Sequence, residues 1–197
     1  MSKFSTIVAD PPWNVKAGRD LGQYAVQDGK QVWDSTHQKS RELAYPFMSV
    51  DDLCALRIKD LAADNAHLYL WTINKYLPDA FKLAAAWGFS YSTTLVWTKN
   101  PMGGGLGGTF GISTEFVLFC RRGTLATKRD WPTTWFNWKR PYDERGKPKH
   151  SAKPPSFMEM VEETSPGPYL ELFAREKRPW WQSWGNEVES DVEIVGG

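Results

Sequence analysis

Five short runs rich in β-branched and aromatic residues recur along this chain, separated by segments whose apolar residues keep helical spacing. The runs are Ser5–Ala9, His67–Ile73, Tyr91–Thr98, Glu115–Cys120 and Tyr169–Phe173, each of strand length and composition. A helix is expected to start at "SVDD", where Ser49 can cap and Asp52 stands three residues on, with Leu53, Leu56 and Leu61 on one side. A second is expected from Pro78 to Trp87, stopped by Gly88, and a third from Pro155 to Thr164, stopped by "SPGP". Strands that alternate with helices predict an α/β domain with a mainly parallel sheet flanked by helices, which places ligands at the carboxyl ends of the strands. The segments 14–41 and 100–150 break the alternation and are expected to be long substrate-facing loops.

Composition narrows the class. A chain of 197 residues with 41% hydrophobic and 24% charged residues fits one domain, 1–197, with a sizeable core. No apolar run approaches the roughly 18–20 residues of a membrane span, and the start "MSKFSTIVAD" lacks the pattern of a secretion signal, so a cytoplasmic location is expected. Cys54 and Cys120 are far apart and the three histidines are scattered, which supports neither a disulfide framework nor a metal site. Between Arg121 and Lys153, ten Lys/Arg stand against three acids, interleaved with Trp131, Trp135, Phe136, Trp138 and Tyr142. Cations beside aromatic faces suit a polyanion with stackable bases; aromatics packed on the core beneath a solvated loop account for the pattern equally well. The stretch "GGGLGG", Gly103–Gly108, satisfies G-x-G-x-x-G, yet a strand rather than a helix follows it, so it is read as a flexible loop and not as a dinucleotide site.

The first strand ends in "ADPPW", Ala9–Trp13. The two prolines hold Asp10 and Pro11 extended and remove two backbone donors, so the Asp10 carboxylate and the Pro11 and Pro12 carbonyls are expected to project as rigid acceptors. Trp13 adds an aromatic face beside them. Acceptors beside a stacking surface match an aromatic amine such as the exocyclic amine of adenine. A strand-end acid that caps a turn, with its Trp in the core, is the competing reading of the same residues.

Together with "YPFMSVDDL", "LYLWTINKYLPDAFKLAAAWGF", "TTLVWTKN", "HSAKP", "PGPYLELFAR" and "WGNEV", this motif resembles the DPPW-type adenine-N6 methyltransferases, the family of the catalytic subunit of the messenger-RNA N6-adenosine methyltransferase and of small bacterial and phage enzymes. The resemblance covers nearly the whole chain. It implies a Rossmann-like methyltransferase fold with the catalytic motif N-terminal to the cofactor strand, and methyl transfer from S-adenosylmethionine to adenine N6, without a metal. It places catalysis on Asp10, Pro11, Pro12 and Trp13. The cofactor falls to Asp10, Lys153 (toward the methionine carboxylate), Glu171, Arg175, Asn186 and Glu187, the last at a position often Gln in relatives. Substrate is expected at Trp13, Tyr45, Arg129, Lys139 and Arg140, with Tyr45 and Trp71 also shaping the pocket.

The chain departs from the family at Ala152, where many relatives are basic, and in "REKRPWW", for which no residue of 176–181 is assigned a role. Small stand-alone size resembles the members that act on DNA, with RNA as the alternative. Specificity then rests on the loops, a homodimer or a partner subunit. A non-catalytic nucleic-acid-binding subunit and a cytosine or small-amine methyltransferase are the rival classes; the retained "DPPW" and Lys153 argue against the first, and the DPPW spelling against the second.

Overall fold

The computed structural model describes residues 3–14, 23–27, 30–34, 47–99, 110–146, 149 and 152–194, with backbone alone for 23–27 and 30–34. In chain order these form β1 (Phe4–Ala9), β2 (Gln23–Gln27), β3 (Lys30–Asp34), α1 (Val50–Ala55), α2 (Ile58–Leu61), β4 (Ala62–Thr72), a 3-10 turn (Asn74–Tyr76), α3 (Leu77–Ala86), β5 (Ser90–Thr98), β6 (Thr114–Arg122), β7 (Trp135–Phe136), α4 (Pro155–Thr164), β8 (Tyr169–Leu172) and β9 (Trp181–Trp184). Seven strands make one sheet in the order β7-β5-β6-β4-β1-β8-β9, and β2 and β3 pair separately as an antiparallel ribbon. Six of the seven run the same way; β6 alone is antiparallel to both of its neighbours. The expected mixed α/β, mostly parallel sheet flanked by helices is therefore found, with one reversed strand inside it.

The central strand β4 is buried from Ala66 to Thr72 on both faces, so it reads as a continuous apolar run and not as an alternation. Its odd and even residues serve two cores. Leu68 and Leu70 join Phe4, Ile7, Leu53, Ile58, Leu83 and Trp87 beneath α1, α2 and α3. Tyr69 and Trp71 join Val8, Trp97, Val117, Phe157 and Val161 beneath α4. At about 1.5–3 kcal/mol for each large apolar side chain fully withdrawn from water, these two layers dominate the stability of the domain.

Local signals were mostly right and tertiary packing adjusted their limits. Ser49 caps α1 as expected, its hydroxyl accepting from the Asp52 N–H in a capping box. The helix nevertheless breaks at Leu56, whose backbone is extended, and α2 restarts two residues later. The break carries Ile58, which lies off the Leu53–Leu56–Leu61 face of a continuous helix, into full burial. α3 ends as expected at Gly88, with φ of 83°, and α4 has the expected limits. β4 starts at Ala62, earlier than expected, because Ala62 pairs with Phe4 across a register shift. The segment 14–41 carries the β2–β3 ribbon in place of loop throughout, and β7 and β9 are strands that sequence reasoning missed.

Candidate active site

The sheet brings the ends of β1, β4, β5 and β8 and the start of β6 to one edge. Asp10 follows β1 there, and the next four residues are fixed from several sides. The Trp13 N–H donates to the Pro11 carbonyl at 2.8 Å and the Met48 N–H to the Pro12 carbonyl at 3.2 Å. Both proline carbonyls, expected to project free, thus already accept one hydrogen bond; each retains a second lone pair. Trp13 is only 5% exposed. Its indole N–H donates to the Trp71 carbonyl at 3.1 Å, and its ring stacks on Tyr76 with centroids 5.1 Å apart. The open stacking face expected of Trp13 is absent: core burial wins, and the ring serves as the bracket of the loop. Tyr76 completes it, donating its hydroxyl to the Asn14 carbonyl at 2.6 Å.

Asp10 and Lys153, 143 positions apart in the chain, meet here: Lys153 Nζ is 2.9 Å from Asp10 Oδ2. Lys153 comes to the edge because it stands just before α4, whose Phe157, Met160 and Val161 anchor the helix to the β1–β4 face. Its ammonium also lies 3.3 Å from Glu115 Oε2 and 5.1 Å from the centre of the Trp71 ring. Lys99 closes on the other oxygen of Glu115. A chain of alternating charge, Asp10–Lys153–Glu115–Lys99, therefore lies along the edge. Burial raises the Asp10 pKa above its ordinary value, and Lys153 offsets this only in part. Burial likewise pushes against the charged forms of Lys153 and Glu115, but for each the opposite charges outweigh it, holding Lys153 above and Glu115 below its ordinary value. Glu115 and Lys99 were not singled out from the sequence.

A second group gathers past β8 and β9. The Ala174 N–H donates to the Trp184 carbonyl at 3.0 Å, stapling the segment after β8 to the turn after β9. Gly185 makes that approach possible, since a Cβ there would stand 2.3 Å from the Ala174 carbonyl oxygen. Arg175 and Glu187 consequently face each other at 3.6 Å, next to Asn186. Glu171, in β8 beside Val8 and Ser183, has its pKa pushed by burial up to about 7. Arg178 is a half-buried cation that acts electrostatically on Glu171, within the segment to which no role was assigned from sequence. Among the described residues, the groups offered to a ligand are thus a buried ammonium beside the Asp10 carboxylate at one end, and carboxylates, a guanidinium and an amide at the other. This fits a zwitterionic amino-acid group joined to a ribose.

The expected substrate residues separate. Arg129 pairs with Glu163 and covers the Trp131 ring at 4.2 Å. Glu163 is in the last turn of α4 and Lys153 stands just before its first, so the Arg129–Glu163 pair is at the opposite end of that helix from Lys153. Lys139 and Arg140 follow Trp138, whose carbonyl accepts from the Trp97 indole N–H at 3.0 Å near the end of β5. The basic-aromatic segment is divided likewise: Trp131, Phe136 and Trp138 pack on the α4 core, whereas Trp135 and Tyr142 are exposed. Trp71 belongs to the core and also underlies Lys153. Tyr45 and the glycine cluster 103–108 lie outside the described residues.

The MT-A70 family model matches residues 4–187. The chain is 28% identical over 200 residues to the Type II methyltransferase M.MunI of Mycoplasma sp, spanning 98% of this chain and 81% of that protein. It is 26% identical over 212 residues to the human N(6)-adenine-specific methyltransferase METTL4, and 24% identical over 204 residues to a Medicago truncatula MT-A70-like protein, spanning 37% and 28% of their lengths.

Proposed function

The chain belongs to the MT-A70 family, and from that premise we propose that it methylates the N6 amine of adenine in DNA with S-adenosylmethionine as the methyl donor. The observation that carries the reading is the pairing of Asp10, at the end of β1, with the Lys153 ammonium at 2.9 Å, inside a family match that includes both residues. Lys153 would hold the donor's carboxylate, and Glu171, Arg175, Asn186 and Glu187 its ribose and adenine. Bound there, S-adenosylmethionine supplies an electrophilic methyl group. The chain's own task is the nucleophile. The lone pair of adenine N6 is delocalised into the ring, so the amine reacts only when its geometry is held. Asp10 has one oxygen on Lys153 and its other oxygen for an amine N–H, and the second lone pairs of the Pro11 and Pro12 carbonyls complete the acceptor set. As N6 gains positive charge, the Asp10 carboxylate stabilises it; a fixed electrostatic contact of this kind is worth about 10²–10³ in turnover. The proton leaves afterwards to Asp10, whose burial favours taking it, or to water.

A base stacked in a duplex must be flipped or presented single-stranded. Lys139 and Arg140, with the exposed Trp135 and Tyr142, are the proposed backbone and base contacts. The test is incubation with S-adenosylmethionine and, separately, unmethylated duplex DNA, single-stranded DNA and RNA, followed by digestion to nucleosides and mass spectrometry. N6-methyldeoxyadenosine from DNA, absent with Asp10→Ala, is the expected result. N6-methyladenosine from RNA alone overturns the choice of DNA, and cofactor binding without any methylated base overturns the catalytic reading.

A further inference from the structure

Two carboxylates compete for one ammonium at this site. Lys153 lies 2.9 Å from Asp10 and 3.3 Å from Glu115, and among the described residues Glu115 alone of the two has a second cation, Lys99, on its other oxygen. All four groups are largely buried, with side-chain exposures between 13% and 26%, so each contact is felt more strongly than at an open surface. Without Glu115, the Lys153 charge would fall on Asp10 alone, occupying the carboxylate that must accept from an amine. Without Lys99, Glu115 would draw Lys153 away from Asp10.

We infer that Glu115 is a positioning residue, and that Lys99 sets its pull: together they hold Lys153 at a fixed share between the two carboxylates, so that Asp10 is anchored but not neutralised. The inference rests on the proposed reading of Asp10 as the acceptor of the substrate amine. Geometry makes the device specific. Glu115 opposes Trp97 in the β5–β6 register, and the Lys99 N–H donates to the Ser113 carbonyl at 2.8 Å, so the backbones of the Lys99 and Glu115 segments are locked side by side. The Lys99 ammonium also lies 5.2 Å from the centre of the Trp97 ring, and Trp97 itself is buried against Trp71 beneath Lys153.

The balance predicts opposite effects from its two ends. Among the described residues, the charged groups acting on Asp10 are Lys153, Glu115 and Arg175, and Asp10 in turn acts on Glu171. Glu115→Gln removes a negative neighbour and releases Lys153 to Asp10, so the Asp10 titration moves to lower pH. Lys99→Met strengthens the hold of Glu115 on Lys153, so the Asp10 titration moves to higher pH. The usual size of a change in one close charge is about one pH unit or more. The measurement is carboxyl carbon-13 NMR of the full chain labelled at aspartate, without nucleic acid or cofactor, the Asp10 signal being assigned with Asp10→Asn. Shifts of opposite sign in the two variants are expected. Shifts of the same sign, or none, overturn the inference, and a rise in Lys99→Met decides alone should Glu115→Gln fail to fold. Parallel methylation assays separate the two levels: wild-type protein inactive on every nucleic acid defeats the functional reading whatever the titrations show, whereas active wild type with unmoved titrations defeats only the positioning role.

Discussion

Replacing Glu171 by glutamine should stabilise this protein, and only above acid pH. Glu171 is set in β8 between Val8 and Ser183, on the face covered by the α4 core, and burial pushes its pKa from 4.5 to about 7 despite the opposing Arg178. A carboxyl whose folded pKa is raised binds its proton more tightly in the native state, so its contribution is fully present below about pH 4.5 and is lost as the pH climbs to about 7. At about 1.4 kcal/mol per pKa unit, the interval amounts to about 3 kcal/mol. Glutamine has no charge to bury. Its variant should match the wild type at pH 4 and exceed it by about 3 kcal/mol at pH 8, or by roughly 10 °C in melting temperature for a chain of this size. Urea unfolding at pH 4, 6 and 8 reads this directly, and the other carboxylates cancel because both proteins carry them. Stability curves that run parallel from pH 4 to pH 8 would refute the reasoning. The same substitution should weaken S-adenosylmethionine binding at pH 8, since it removes the carboxylate proposed for the ribose.

Lys153→Met leaves Asp10 and Glu115 facing each other, with Lys99 still on Glu115 and Arg175 still acting on Asp10; it should cost about 3 kcal/mol at neutral pH, part of it recovered in acid, and abolish measurable cofactor binding by calorimetry. Gly185→Ala drives a Cβ to 2.3 Å from backbone oxygen of Ala174, so about 2 kcal/mol should be lost in urea unfolding together with cofactor affinity; unchanged stability would show that the two segments are not stapled. Arg129→Ala should leave the salt dependence of DNA binding unaltered, because Glu163 in the last turn of α4 already pairs with that cation, whereas Lys139→Ala with Arg140→Ala should flatten the slope by about two charges in a titration of affinity against salt.

How much of this was legible follows from the range of each interaction. The chain by itself determined what is local: the β-branched runs, the Ser49–Asp52 capping box, the stop at Gly88, the limits of α4, and an acid fixed at the end of β1 by two prolines. It also carried, through its resemblance to a family, the assignment of the distant Asp10 and Lys153 to one cofactor site, though not the contact between them. Sequence could not reveal Glu115, because the rule that parallel sheets bind at carboxyl ends looks past the first residues of a strand, and β6 reaches the site by running backwards. Nor could it tell whether an aromatic faces water or core: Trp13 and Trp138 went inward while Trp135 and Trp180 stayed out. Arg129 and Trp138 stand nine positions apart in one basic-aromatic segment, yet Glu163 in the last turn of α4 pairs with the first while the carbonyl of the second takes the Trp97 indole N–H near the end of β5. Backbone chemistry acts over a few residues and is written in their order; the choice of neighbours across a sheet is made by strand order, strand direction and burial, which exist only once the whole chain has folded.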